Sequence, residues 1–432
     1  MLTLRCFWVA LGMSVVVMLV PQWLWLWLGI LAAAVLVDLM ACASPRTVRV
    51  TRIPAQPTRA GTPITVVSRL QNQGRRTLRG WAKDGWQPTA SPRQAVQPVQ
   101  LRGRSTVELE VTLEPQRRGE LRSEHLTIRS LGPLGLAGRQ VVHRVPHTVQ
   151  VLPQFASRRH LPSMLRRLRE LDGASAVQLR GAGTEFDSLR DYVRGDDVRS
   201  IDWRATARRQ DAAGQHLVVR TWRPERDRRI ILCLDSSRTS AARIDDGPRL
   251  DAGVESSLLL GALAAHAGDR VDFLAFAREV TARASSSERG TFLNLLSLAV
   301  SRVEPTLVEA DFSQLPGEIA ALTTHRSLVV IVTAADSPAL QEGLLPVLPA
   351  LTSKHRVVVA SVRNPELLQQ AAARGSVAEV YAAAAAERAM IEAAAIAAEL
   401  HARGVELVEA EPDALPAALA DCYIRLKATG KL

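Results

Sequence analysis

Asp235, Ser237 and Thr239 stand at alternate positions in Asp235-Ser236-Ser237-Arg238-Thr239-Ser240, directly after the apolar run 229–234, RIILCL. One carboxylate and two hydroxyls are hard oxygen donors. They suit Mg²⁺, which keeps waters in its shell and leaves room for an acidic group from a partner. Arg238 lies inside the set, where its guanidinium would compete with a cation. The plainer reading has Asp235 capping the turn that follows it. A second constellation is the run 183–209, GTEFDSLRDYVRGDDVRSIDWRATARR, in which Asp187, Asp191, Asp196, Asp197 and Asp202 alternate with Arg190, Arg194, Arg199 and Arg204. A calcium loop needs oxygen ligands at alternate positions around a sharp glycine, and this spacing lacks them. No cleft partner identifies an acid–base pair. The pattern predicts a network of Arg–carboxylate pairs, with Phe186, Tyr192 and Trp203 burying the segment against the next domain. The four cysteines, Cys6, Cys42, Cys233 and Cys422, are far apart. They form no CxxC, so a disulfide framework and a structural zinc site are not expected. The nine histidines are scattered, and no GxSxG or HExxH occurs. The expectation is a protein that is not an enzyme.

The elements that must position these residues fall into four stretches. In residues 227–432 apolar strands alternate with helical stretches. The strands are 229–234, 270–276, 328–332, 356–362 and 405–408, and the helices include 250–266, 292–303, 312–322 and 382–402. That alternation predicts crossover units and a doubly wound, mostly parallel α/β sheet covered on both faces. Ligand sites in such sheets lie beyond the carboxyl ends of the strands, where Asp235 falls. Rossmann and P-loop fingerprints are missing. Residues 44–154 carry short alternating runs at 48–53, 63–70, 106–113, 126–129 and 141–151, punctuated by glycine and proline. Five to seven short strands over such a length predict an all-β, immunoglobulin-like sandwich. Residues 155–226 form the charged segment.

Residues 1–43 are the strongest signal. Residues 6–20 and 23–37 are uncharged and apolar, with Pro21-Gln22 between them. One continuous helix would be about 50 Å long, too long for a hydrocarbon core of about 30 Å, so a two-helix transmembrane hairpin is predicted. Trp23, Trp25 and Trp27 fall where an aromatic belt lies. Arg5 precedes the first helix and Arg46, Arg49 and Arg52 follow the second, so both ends face the cytoplasm of a multi-pass protein in the bacterial inner membrane. The alternative is a lipoprotein-type signal cleaved before Cys42. Its apolar region would be more than twice the usual ~7–15 residues. Net charge is +12 over residues 41–154, +6 over 155–229 and −7 over 230–432. The basic block follows the second helix directly, where anionic inner-membrane lipid attracts each Lys or Arg by about 1 kcal/mol. Sparse aromatics and the lack of a DNA-binding motif argue against nucleic acid.

The charged run, with Gly183, Glu185, Phe186, Arg190, Tyr192, Gly195, Asp196, Asp197, Arg199, Asp202, Trp203 and Arg204, resembles the signature of the family known as domain of unknown function 58 (DUF 58). Arg117-Arg118-Gly119, the stretch Gly132-Pro133-Leu134-Gly135-Leu136 and the stretch 220–225, RTWRPE, resemble further elements of that family. The resemblance implies a membrane hairpin, a β-rich domain and a C-terminal von Willebrand factor A-like domain. It implies a partner, a MoxR-type AAA+ ATPase, and a scaffolding role in assembly or chaperoning of other proteins. Asp235, Ser237 and Thr239 are similar to the metal-ion-dependent adhesion motif DxSxS, with Thr for the last Ser. The motif implies Mg²⁺ and further ligands from later loops, with Asp336 the candidate and Thr306 a weaker one. An adhesion-like receptor module binding its ligand through that site is the alternative function. On the partner reading, Asp235 and Arg238 face the ATPase.

Overall fold

The computed structural model describes residues 1–178, 185–193, 197–208, 210–211, 214–215, 217–223, 228–245, 247–285, 291–336, 340–430 and 432. The chain divides into two compact units, Met1–Gln154 and Phe155–Leu432.

The first unit opens with two apolar helices, α1 (Leu4–Leu19) and α2 (Leu24–Ala41), joined by a tight turn at Pro21–Trp23. Thr3 caps α1, its hydroxyl accepting from the Cys6 amide. The stretch Pro21–Thr47 is long and apolar enough to cross a membrane, and α1 is a shorter apolar helix. Met18, Trp25 and most other large side chains of the two helices lie uncovered. Eight strands follow: β1 (Val48–Arg52), β2 (Thr58–Arg59), β3 (Ile64–Asn72), β4 (Leu78–Trp86), β5 (Val96–Leu101), β6 (Thr106–Leu113), β7 (Gly119–Leu131) and β8 (Gly138–Leu152). They form a three-stranded sheet, β1-β3-β6, and a five-stranded sheet, β2-β8-β7-β4-β5. Alternate side chains of both sheets, among them Leu70, Val111, Leu78, Ile128 and Val149, meet in one core.

Two buried charges organise this unit. Asp84 and Arg52 make a bidentate pair at 2.5 and 2.8 Å, with side chains only 1% and 6% exposed. Ser68, Ser123 and the Trp86 indole complete their hydrogen bonds, so neither charge is left bare. Asp38, at the end of α2, is fully buried. Its carboxylate accepts from the amides of Leu134, Leu136 and Ala137, at 2.7, 2.8 and 2.8 Å, in the turn between β7 and β8. The residues before α1 grip the same turn: the Thr3 amide donates to the Leu136 carbonyl and the Thr3 hydroxyl to Gly135. The start of α1 and the end of α2 therefore meet at one end of the helix pair. Gly132 and Gly135 make that possible. A Cβ on Gly132 would overlap the Asp38 carboxylate, and Gly135 has φ +69°.

The second unit begins with α3 (Leu161–Gln178), the strand pair β9 (Glu185–Asp191) and β12 (Val218–Arg223), α4 (Trp203–Arg208) and the short pair β10 (Gln210–Asp211) and β11 (Gly214–Gln215). The α/β layer follows: β13 (Arg229–Asp235), β14 (Arg243–Ile244), β15 (Gly247–Pro248), α5 (Arg249–His266), β16 (Arg270–Phe276), β17 (Val280–Ser285), α6 (Phe292–Ser301), α7 (Leu315–Leu322), β18 (Leu328–Val332), α8 (Leu348–Thr352), β19 (Arg356–Val362), α9 (Glu366–Ala372), α10 (Val377–Ala402), β20 (Glu406–Ala410) and α11 (Leu415–Ala428). The six-stranded sheet runs β17-β16-β13-β18-β19-β20. All neighbours are parallel except the edge strand β17. In order of appearance this is 3-2-1-4-5-6, the doubly wound order, with its reversal between β13 and β18. Ile230, Leu232 and Leu234 face a core with α5, α6 and α11; Ile231 and Cys233 face the opposite core. A buried triad ties α11 down: Asp269 accepts from Tyr423 at 2.5 Å and from Lys427 at 3.1 Å.

Two stability outcomes follow from the buried aspartates. Asp84→Ala leaves Arg52 charged and buried, and should cost about 3–5 kcal/mol. Asp38→Ala strips three buried amides of their acceptor and should cost about 2–4 kcal/mol, with Asp38→Asn milder. Thermal unfolding of the detergent-solubilised chain reads both. Trypsin should also gain access to Arg139 in the Asp38 variant; a melt and digest like the parent's would remove Asp38 from this role.

Candidate functional site

β13 ends on Asp235 because its alternating apolar residues fill both cores and leave the first polar side chain at the sheet's carboxyl edge. That edge is the reversal point between β13 and β18. Asp235 is 1% exposed. Its Oδ1 accepts from the Ser237 amide at 2.8 Å. Its Oδ2 accepts from the hydroxyls of Thr239 at 3.2 Å and Thr333 at 2.6 Å. The Ser237 and Thr239 hydroxyls are 3.1 Å apart. The structure thus brings Asp235, Ser237 and Thr239 into one cluster and adds Thr333, the residue after β18. Thr306 stands differently: its amide and hydroxyl both donate to the Ser236 carbonyl, at 2.8 and 3.1 Å, so it fixes the loop and turns its oxygen away from the carboxylate.

Asp336 is engaged elsewhere. Arg249, at the start of α5, grips it with Nη1–Oδ1 at 2.8 Å and Nη2–Oδ2 at 2.7 Å. Arg238 points outward, 62% exposed, and pairs with Glu309 at 2.5 Å. Its amide donates to the Val308 carbonyl, which sets Leu307, 80% exposed, on the neighbouring loop. Glu409, near the end of β20, has its carboxyl pushed above the ordinary 4.5; burial is the main cause, Arg363 opposes it and Asp336 adds to it. Sequence spacing alone did not mark Thr333, Arg249 or Glu409. The available signal was position, since each lies within three residues of a strand end or at the first turn of α5.

The donor set fits a hard cation. Ligands about 2.1 Å from an octahedral ion lie about 3.0 Å from one another. The hydrogen-bonded separations of 3.1 and 3.2 Å around Thr239 lie near that spacing, and the 2.6 Å between Thr333 and Asp235 is shorter than it. Asp235, Ser237, Thr239 and Thr333 are the residues that could hold Mg²⁺. Among the described residues no group of three or more His, Cys, Asp or Glu side chains converges, so hydroxyls carry most of the set.

The charged segment is built from caps and ion pairs. Asp202 accepts from the amides of Arg204 and Ala205 and pairs with Arg220 at 2.7 Å. Those amides and Arg220 hold its carboxyl below the usual range. Asp197 caps the turn at Arg199. Arg190 donates to the Asp191 carbonyl. Gly183, Gly195 and Asp196 lie outside the described residues, as do the side chains of Glu185 and Phe186. The expected burial of Trp203 is corrected: it is 67% exposed, and Tyr192 is half-buried. Anchoring falls instead to Ile201 and to Thr206, whose hydroxyl accepts from the Val218 amide at 3.1 Å.

Residues 188–399 match the family model described as protein of unknown function DUF58. Among solved structures, the chain is similar to the SpRpn10 VWA domain at 11% identity, covering 45% of this chain and 94% of that one, with a TM-score of 0.29. It is similar to an aerotolerance-related membrane protein from Bacteroides fragilis at 12% identity, covering 45% and 99%, TM-score 0.28. It is also similar to a PapD-like domain of human CEP192 at 11% identity, covering 26% and 90%, TM-score 0.19. No curated protein matches the chain.

Glu409 gives the site a pH signature. A raised carboxyl means the folded chain holds its proton where the unfolded chain has lost it, so this group's stabilisation is complete below 4.5 and is lost as pH rises through the folded value. Glu409→Gln should therefore melt higher than the parent at pH 7.5 and equal it at pH 4. An equal melt at both values would show that Glu409 carries no such penalty.

Proposed function

We propose that this protein is a membrane-anchored, non-enzymatic interaction protein that works with a MoxR-type AAA+ ATPase in assembly or chaperoning of other proteins. The observation that carries the reading is the reversal-point cluster. Asp235 accepts from the hydroxyls of Thr239 and Thr333 and the amide of Ser237, and its rim presents Arg238, Glu309 and Leu307 to solvent. An exposed arginine on a rigid strand end is of the residue type enriched at interface anchors. The match to the DUF58 model over residues 188–399 is in keeping with the family resemblance from which the partner class is inferred.

The anchor is the helix pair. Its uncovered apolar surface suits lipid, and the joint capture of Thr3 and Asp38 by one turn supports a hairpin that enters and leaves on the same side. Arg5, Arg46, Arg49 and Arg52 favour the cytoplasm for that side. The β-rich region then reads as an immunoglobulin-like sandwich, and the α/β layer as a von Willebrand A-like domain. Cys42 supports the hairpin over a lipoprotein: it is 3% exposed, with Sγ 3.3 Å from the Ser130 hydroxyl, a poor place for an acyl anchor. A second reading has one specific support, the gathering of the Ser237, Thr239 and Thr333 hydroxyls around the Asp235 carboxylate. It makes the same edge a cation-dependent ligand site of the adhesion type.

Reporter fusions after Arg52 and at the C-terminus should both report cytoplasm; export of either would end the hairpin topology. For the partner, the full chain in detergent should capture its cognate ATPase. Arg238→Ala should weaken capture by about 30-fold, the equivalent of about 2 kcal/mol at an interface anchor. Arg75→Ala, in the β-rich unit, should not. Undiminished capture by both Arg238→Ala and Asp235→Asn would place the docking surface elsewhere.

A further inference from the structure

The Arg249–Asp336 pair joins the two loops that carry the cluster. Asp336 lies three residues beyond Thr333, whose hydroxyl donates to Asp235. Arg249 follows the turn after Ser237 and Thr239, its amide donating to the Ala242 carbonyl. The first turns of α5 cover the ends of the two central strands, since a Cβ on Gly253 would meet Leu234 at 2.8 Å and Val332 at 3.1 Å. The guanidinium is 10% exposed and Asp336 28% exposed. Arg249 Nε is buried with no hydrogen-bond partner. Among the described residues, the guanidinium's hydrogen bonds are the two from its Nη atoms to Asp336. The two parallel charge-assisted bonds fix the orientation of both groups. It withholds from the cluster the one further carboxylate that its own loop supplies.

We propose that Arg249 is a latch on Asp336, keeping the Asp235 cluster a one-carboxylate, low-affinity site for a hard divalent cation, and that releasing Arg249 converts it to a two-carboxylate, higher-affinity site. The proposal rests on the cation reading above. Affinity for hard cations rises with the number of charged oxygen ligands. The fixed positive charge of Arg249 opposes a cation as well, so release acts twice. The two effects are separable, because only one of them needs Asp336.

The test is calorimetric titration of the detergent-purified full chain with Mg²⁺, with circular dichroism melts confirming that each variant is folded. Arg249→Gln should bind about tenfold or more tighter than the parent, as expected for an added charged ligand. Arg249→Lys keeps the charge but breaks the fork, and should show a smaller gain. Asp336→Asn alone leaves the Arg249 charge unneutralised and should not raise affinity above the parent's, and in the Arg249→Gln background it should erase most of the gain. Equal affinity in the parent and Arg249→Gln overturns the latch. So does a gain that survives in the double variant, which would reduce Arg249 to a repelling charge. Asp235→Ala should abolish binding throughout; binding indifferent to Asp235, or no binding in any variant, removes the cation reading itself and the latch with it.

Discussion

A buried carboxylate must have its acceptors filled, and in this chain that requirement joins segments far apart in sequence. Asp38 is filled by amides 96 to 99 residues away. Asp84 is filled by Arg52 and Ser123, Asp235 by Thr333, and Asp269 by Tyr423 and Lys427, 154 and 158 residues on. Hydrophobic burial is larger in sum but indifferent to which apolar groups meet. An unpaired buried charge is costly in every alternative packing, so these four contacts are the ones that a wrong register cannot satisfy. Two of them tie down elements that packing alone would hold loosely: Asp38 joins the apolar helix pair to the turn between β7 and β8, and Asp269 holds the terminal helix.

The parts of the fold legible in the sequence are those where burial is complete on both faces. IILCL, LVVIV and VVVA are unbroken apolar runs because parallel strands covered on both sides have no polar face. The elements that escaped are those in which charge is buried or one face is wet. β4 reads LRGWAKDGW, and its alternation is broken by Asp84, a core residue only because Arg52 neutralises it. β17, VTARAS, is a half-exposed edge strand whose partner β16 is what makes it a strand. α3 lay inside a segment read for its charges, although Leu161, Met164 and Leu168 recur at helical spacing and pack in the core.

The site divides along the same line. Asp235, Ser237 and Thr239 are local in sequence, and an alternate spacing after a strand is enough to bring three oxygens together. Thr333 enters through the parallel pairing of β13 with β18, a long-range fact that no spacing encodes. Asp336 was legible as a carboxylate beyond a strand end, but its engagement was not, because Arg249 reaches it from 87 residues earlier. Arg238, suspect inside the motif as a competitor for a cation, is drawn outward by Glu309. The two arginines beside the cluster are thus each assigned to a carboxylate of their own.

That assignment bears on how one edge could serve two readings. A strand-end surface that meets a protein through Arg238 and Leu307 needs only rigidity beneath it. The hydrogen-bonded Asp235 cluster supplies that rigidity with or without a cation. A cation-dependent surface needs carboxylates that are free to turn toward the ion. The parent chain offers one buried carboxylate already committed to three donors, and a second held in a guanidinium fork. Both commitments stiffen the edge and both lower its appetite for a cation. Rigidity and cation affinity are therefore opposed here, and the arrangement observed lies on the side of rigidity, which is the side that protein recognition requires.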